Sequence, residues 1–165
     1  MKPKQLPLVV LDTCCYLHFL MNDEPAYAQT VEEIIDQHQK LHIVVIPTSV
    51  ELETFGVFKN GVGGKYGNKP NQRKRRVACA REWFSSQQFM PAELDSLVTN
   101  TAIRLMAESN LKGMDAVVIA TGIVHEATTV FTYDTQMLRA GDDIEELEIR
   151  KPPPPGTLFP LPSTE

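Results

Sequence analysis

The stretch LVVLDTCCYL, residues 8–17, decides the fold. Its first four residues are apolar, with two adjacent valines, the composition of a strand buried on both faces. Asp12 ends the run abruptly, and no other acid occurs before Asp23. Two further runs share this character. HIVVI, 42–46, is closed by Pro47, and TVFTY, 129–133, is followed at once by Asp134. ELEIR, 146–150, reads as a fourth strand.

Helical patterns fill the intervals. Residues 25–41 carry an apolar stripe of Ala28, Val31, Ile34, Ile35 and Leu41. TSVELETFGVF, 48–58, starts at Thr48 or Ser49, both good N-cap residues. Residues 72–86 place Val77, Ala80 and Phe84 on one side and most of the arginines on the other. Residues 91–109 put Leu94, Leu97, Val98, Thr101 and Leu105 in register. MDAVVIATGIVHEA, 114–127, is an apolar helix with small residues that allow close packing on a sheet, and TQMLRAG, 135–141, is a short helix closed by Gly141. KNGVGGKYGNKPN, 59–71, is a loop by its glycines, asparagines and proline. Strands alternating with helices give an α/β fold with a parallel sheet covered on both faces.

The chain has 165 residues, enough for one domain with a full core. No apolar run approaches the ~20 residues of a membrane span. The basic start Met-Lys-Pro-Lys is followed by too short an apolar run for a signal peptide. Three cysteines, two of them adjacent, form neither a disulfide framework nor a metal-ligand spacing. They read as buried small residues in a protein of the reducing cytoplasm. His18, His38, His42 and His125 show no pairing and read as surface or core residues. Trp83 and Phe84 read as core anchors.

The net charge of −5 argues against a nucleic-acid binder, but the charge is unevenly spread. From Thr54 to Arg81 there is no acid and there are eight basic residues, among them Lys65, Arg73, Lys74, Arg75 and Arg76. That is half of the chain's 16, a local field that attracts a polyanion.

In a parallel sheet, ligands bind beyond the C-terminal ends of the strands. Asp12 and Asp134 each end a strand there. Glu51 and Glu53 lie in the first turns of the helix after the second strand, and Asp115 opens the helix before the third. Each acid also has a plain structural use, as a helix cap or a dipole partner. Together they bring carboxylates from four separated segments to one sheet edge. Clustered carboxylates repel unless a cation compensates them, and all-oxygen clusters suit Mg²⁺ or Mn²⁺. Such ions promote phosphodiester hydrolysis, and the basic segment would then hold the nucleic-acid backbone.

These residues resemble the PIN-domain ribonucleases. VVLDTCCYL is similar to their opening strand ending in Asp and a hydroxyl residue. VIPTSVELETFG is similar to their second motif, with Thr48 three residues before a Glu-Leu pair. LKGMDAVVIATGIVHEATTVFTYD is similar to their third and fourth, an Asp-Ala start and a strand ending Thr-x-Asp. The match runs over roughly residues 7–140 and is nearest to VapC-type toxins of toxin–antitoxin pairs.

The resemblance implies a PIN-like three-layer α/β/α sandwich with a mostly parallel sheet of four to five strands. It implies a nuclease domain over 1–150 with a basic insertion at about 57–82. The proline-rich tail 151–165 is expected to be extended or disordered. Asp12, Glu51, Asp115 and Asp134 are the implied metal-binding acids, with Thr13 and Thr132 in support. For the second acid, the spacing from Thr48 selects Glu51 and the distance from Pro47 suits Glu53. The two are about 200° apart on a helix, so one alone can face the site; Glu51 is favoured. Cys14 stands where a serine is common. The implied activity is Mg²⁺- or Mn²⁺-dependent endoribonucleolytic cleavage by a cytoplasmic toxin. Its implied partners are RNA, an antitoxin that inserts a segment into the acidic groove, and a second copy of the chain. An RNA-processing nuclease and a non-catalytic RNA- or protein-binding module are the alternatives. A phosphotransfer receiver lacks its early acid pair, and a haloacid-dehalogenase-like phosphatase would need an Asp at Cys14.

Overall fold

The computed structural model describes residues 5–60 and 69–157. Among these, five strands alternate with seven α-helices. The strands are β1 (Leu8–Leu11), β2 (Ile43–Pro47), β3 (Met90–Ala92), β4 (Thr129–Phe131) and β5 (Glu148–Arg150). The helices are α1 (Thr13–Met21), α2 (Pro25–Asp36), α3 (Thr48–Asn60), α4 (Pro70–Gln87), α5 (Ser96–Glu108), α6 (Gly113–Val124) and α7 (Thr135–Ala140). The sheet runs β3-β2-β1-β4-β5 and every pairing is parallel. The chain steps from β1 to β3 in one direction, then crosses β1 to reach β4 and β5. Right-handed crossovers therefore put α1–α4 on one face and α5–α7 on the other. The order reverses between β1 and β4, which opens a crevice at their C-terminal ends.

The apolar runs end up where their composition sends them. Val10, Leu11, Val44, Val45 and Val130 are buried in the sheet's centre. On the second face, α6 lies close. A Cβ on Gly122 would come within 2.8 Å of Leu147 and 3.0 Å of Val130. On the first face, Tyr16 is fully buried and its ring meets those of Trp83, Phe84 and Phe89. Trp83 and Phe84 are thus core anchors, as expected.

Some elements differ from the expectation. No element was expected over 13–21, because TCCYLHFLM lacks one polar face; it is α1, buried at Thr13, Cys15 and Tyr16. The stripe of 25–41 stops being helical at Asp36, and Gln39 turns the chain with φ 64°. The helix expected over 91–109 begins only at Ser96. Asp95 caps it by accepting from the Val98 amide at 2.9 Å. Residues 90–92 form the edge strand β3, where Pro91 is tolerated because one side of an edge strand needs no donor. Leu94 and Leu97 are consequently half exposed instead of buried.

The cysteines are all free, but only Cys15 is buried; Cys79 is exposed on α4 and Cys14 is intermediate. The histidines are more engaged than expected. His18 Nδ1 lies 2.9 Å from Asp23, and His38 and His42 form a bridge beside the start of β2. Past β5, residues 151–157 carry no helix or strand, Pro152 is buried, and the Gly156 amide donates to Glu33 at 2.8 Å. The expected loop core around Lys65 and the tail from 158 lie outside the described residues.

Candidate functional site: a carboxylate group at the sheet crevice

Asp12 leaves β1 at the crevice and caps α1. Its Oδ1 accepts from the Thr13 amide at 2.7 Å. Its Oδ2 accepts from the Thr132 hydroxyl at 2.8 Å and from the Cys14 thiol at 3.1 Å. Asp134 leaves β4 two residues after Thr132 and caps α7, accepting from the amides of Gln136 and Met137 at 2.7 and 2.9 Å. Its own amide donates to the Thr132 hydroxyl at 2.9 Å. Both strand-ending acids are therefore helix caps and neighbours across the crevice; the structural use and the shared location coincide.

Of the two glutamates on α3, Glu53 faces this group. Its Oε2 accepts from the Thr13 hydroxyl at 2.6 Å. Glu51 lies on another side of α3; the Tyr16 phenol is raised by its burial first, with the charges of Cys15 and Glu51 adding to it. The hydrogen bond from Thr13 thus goes to Glu53, the alternative suited by the distance from Pro47, and not to Glu51, which the threonine spacing favours. The physical reason is the ~200° between the two positions: the spacing counts residues, while α3's rotation on α1 decides which one turns inward.

Asp115 sits in the first turn of α6, whose N-cap is Lys112 and not Asp115 itself. Burial pushes its carboxyl up, and the charges of Asp12, Asp134 and Glu53 push it further; Lys112 pulls it down. Asp12 is 7% exposed. Its burial raises it too, with Glu53 adding to the rise, while the bonds from Cys14, Thr132 and Thr13 oppose it. Asp12, Glu53, Asp115 and Asp134 thus form one group of mutually repelling carboxylates. As they stand, no three acid, histidine or cysteine side chains among the described residues close around one point. The donor chemistry nonetheless fits a hard divalent cation. All four donors are oxygen, and a positive charge there would relieve the repulsion that lifts Asp12 and Asp115.

An apolar cleft of about 620 Å³ adjoins the acids. Glu53, Asp115 and Lys112 line it together with Leu94, Ile103 and Met106. The basic residues lie apart from it on α4. Arg73, Lys74 and Arg75 are exposed, whereas Arg76 donates from Nε and Nη2 to the Lys59 carbonyl at 3.2 and 2.7 Å. Arg76 therefore also ties the start of α4 to the end of α3. The Lys69 side chain does not cap α4, and the helix's first turn holds no acid.

Sequence reasoning passed over two residues here. Cys14 was read as packing, yet its thiol also accepts from the Tyr133 amide at 3.3 Å. Its position beside Asp12 was the available signal. Lys112 gave none until α6 showed where it starts.

A parallel sheet whose order reverses over a group of carboxylates defines an α/β protein with an acidic crevice site. The PIN domain model matches residues 9–143, and the chain belongs to the PIN-domain family. No curated protein matches it. Solved structures of similar fold include VapBC2 from Rickettsia felis bound to a DNA fragment from its promoter. That likeness is 14% identical, covers 87% of this chain and 98% of the other, and has a TM-score of 0.59. FitAcB from Neisseria gonorrhoeae is 16% identical over 87% and 97% of the two chains, with a TM-score of 0.63. VapC20 of Mycobacterium tuberculosis, a sarcin–ricin loop cleaving toxin, is 15% identical over 81% and 95%, with a TM-score of 0.61. At these identities the likeness is one of fold, that of VapC-type PIN domains.

Proposed function

We propose that this chain is a metal-dependent endoribonuclease, the cytoplasmic toxin of a toxin–antitoxin pair. The observation that carries the reading is the convergence of acids from four segments on one crevice: Thr132 joins Asp12 to the Asp134 amide, Thr13 beside Asp12 donates to Glu53, and Asp115 stands in the first turn of α6 within reach of their charges. A fold does not need four acids facing one another; an enzyme that gathers a hard cation against a phosphodiester does.

Asp12, Glu53, Asp115 and Asp134 would hold Mg²⁺ or Mn²⁺. When bound, such an ion supplies positive charge for the attacking water and for the leaving oxygen. Thr132 and Thr13 fix the carboxylates: one hydroxyl donates to Asp12, the other to Glu53. Arg73, Lys74 and Arg75 would meet phosphates along the strand, with Lys65 from the same basic segment and Arg76 in part.

The toxin assignment draws on the relatives in complexes: the VapBC2 structure, and the toxin–antitoxin complex from Klebsiella pneumoniae. The apolar cleft beside Glu53 and Asp115 suits an antitoxin segment with apolar anchors and a basic side chain reaching the acids. The domain is proposed to span residues 1–150, with the basic insertion at about 57–82 serving RNA.

The test is cleavage of structured RNA by the purified chain with Mn²⁺ or Mg²⁺. Cutting by wild type and none by Asp12→Asn, with the fold intact by circular dichroism, supports the reading. Equal cutting by the two proteins overturns the reading, and no cutting by either favours a non-catalytic binding module.

A further inference from the structure

Two successive amides of the β4–α7 junction reach the same oxygen of Asp12, each through one side chain. The Asp134 amide donates to the Thr132 hydroxyl at 2.9 Å, which donates to Asp12 Oδ2 at 2.8 Å. The Tyr133 amide donates to Cys14 Sγ at 3.3 Å, whose thiol donates to the same Oδ2 at 3.1 Å. The sulfur also lies 3.6 Å from the Thr132 hydroxyl oxygen. Donors arranged in chains polarise one another, so each relay is stronger than its last bond alone. The Thr13 amide takes Oδ1, leaving the carboxylate with a fixed rotation.

We propose that Cys14 is a positioning residue for Asp12. Its thiol bridges the β1–α1 and β4–α7 junctions and so sets how the Asp12 carboxylate faces the other acids. The role does not depend on sulfur chemistry. It needs a group that donates and accepts at once, which a serine supplies with a shorter reach and an alanine cannot. The link to catalysis rests on the nuclease reading above, but the bridge itself does not.

The experiment compares wild type, Cys14→Ala and Cys14→Ser in the full chain. Three quantities are measured: Mn²⁺ affinity by calorimetry, kcat and KM for RNA cleavage, and hydrogen exchange of the Tyr133 amide by NMR. Groups that orient metal ligands typically contribute 10–100-fold, so Cys14→Ala should lower Mn²⁺ affinity and kcat by about that factor. KM for RNA should stay near the wild-type value. The Tyr133 amide should exchange faster, and Cys14→Ser should recover most of each loss. Wild-type Mn²⁺ affinity and Tyr133 exchange in Cys14→Ala overturn the proposal. If wild type neither binds Mn²⁺ nor cuts RNA, the nuclease reading falls instead, and the positioning role is decided by the exchange data: faster in the alanine variant and restored by serine upholds it, no change ends it.

Discussion

The two ends of the sheet bury polar groups in opposite ways. At the start of β2, His38 Nδ1 accepts from the Val44 amide at 3.0 Å and its Nε2 meets the Gln88 carbonyl at 3.1 Å. His42 Nε2 meets the Ile34 carbonyl at 2.8 Å. These rings are neutral groups with backbone partners, and they pin α2 and the end of α4 to β2. At the C-terminal ends of β1 and β4, carboxylates face carboxylates, and Lys112 is the one cation whose charge is felt at Asp115 among the described residues. The first cluster is complete within the fold. The second has Lys112 as its nearby countercharge among the described residues, and the proposed cation would supply the rest.

The largest effect should come from removing charge at the acidic end. Asp12→Asn keeps the shape of the cap and should lower RNA cleavage by ~10³-fold, the scale of losing one electrostatic stabiliser in a buried site. A smaller effect separates the two glutamates. Glu53→Gln should cut activity by about 10²-fold, since Glu53 takes the Thr13 hydrogen bond, while Glu51→Gln should leave it near wild type. Steady-state kinetics on both variants decide which glutamate serves; the reverse ranking would restore Glu51.

Next comes the packing that holds Asp115 in place. Gly122→Ala forces a methyl against Leu147 and Val130 on the sheet and should cost about 1–3 kcal/mol by denaturant unfolding. Activity should fall along with stability, since α6 carries Asp115 in its first turn.

The smallest effects are in pH, and the two ends have opposite signs. Asp12 and Asp115 are raised from 3.8, so the metal-free fold holds more protons than the unfolded chain just above that pH. Their contribution to stability therefore falls as pH rises through that window. His42 is lowered from 6.5 by burial, so the unfolded chain binds more protons just below that pH. Its contribution is full above 6.5 and falls as pH drops. Thermal melts of metal-free protein across pH 4–7 should show the acidic slope shrink in Asp12→Asn, with Asp115 carrying the remainder, and the histidine slope vanish in His42→Gln.

Much of this arrangement was legible in the sequence, and the failures have physical causes. The all-apolar strands β1 and β2, and β4 with its buried Val130 and Phe131, announce themselves because burial on both faces leaves no alternation to misread. Asp12 is legible for the same reason, being the first polar residue after β1, and Asp134 is the first acid after β4. Helix α1 was hidden because it is apolar on most sides, and an amphipathic search rewards contrast. Three-residue β3 was hidden because Pro91 reads as a break until its edge position is known. Glu53 could not be told from Glu51 because helix rotation is set by packing between α1 and α3, a long-range contact no local spacing encodes. Cys14 was visible, but the Tyr133 amide that makes it a bridge arrives from 119 residues away.

The central claim is that the four carboxylates make a site only when a divalent cation joins them. The most direct measurement is a Mn²⁺ titration of the wild-type chain followed by calorimetry and thermal melting, repeated on Asp115→Asn. Saturable binding that raises the melting temperature of wild type, and is weakened in Asp115→Asn, is the predicted result. A melting temperature that does not respond to Mn²⁺ in either protein would contradict the account.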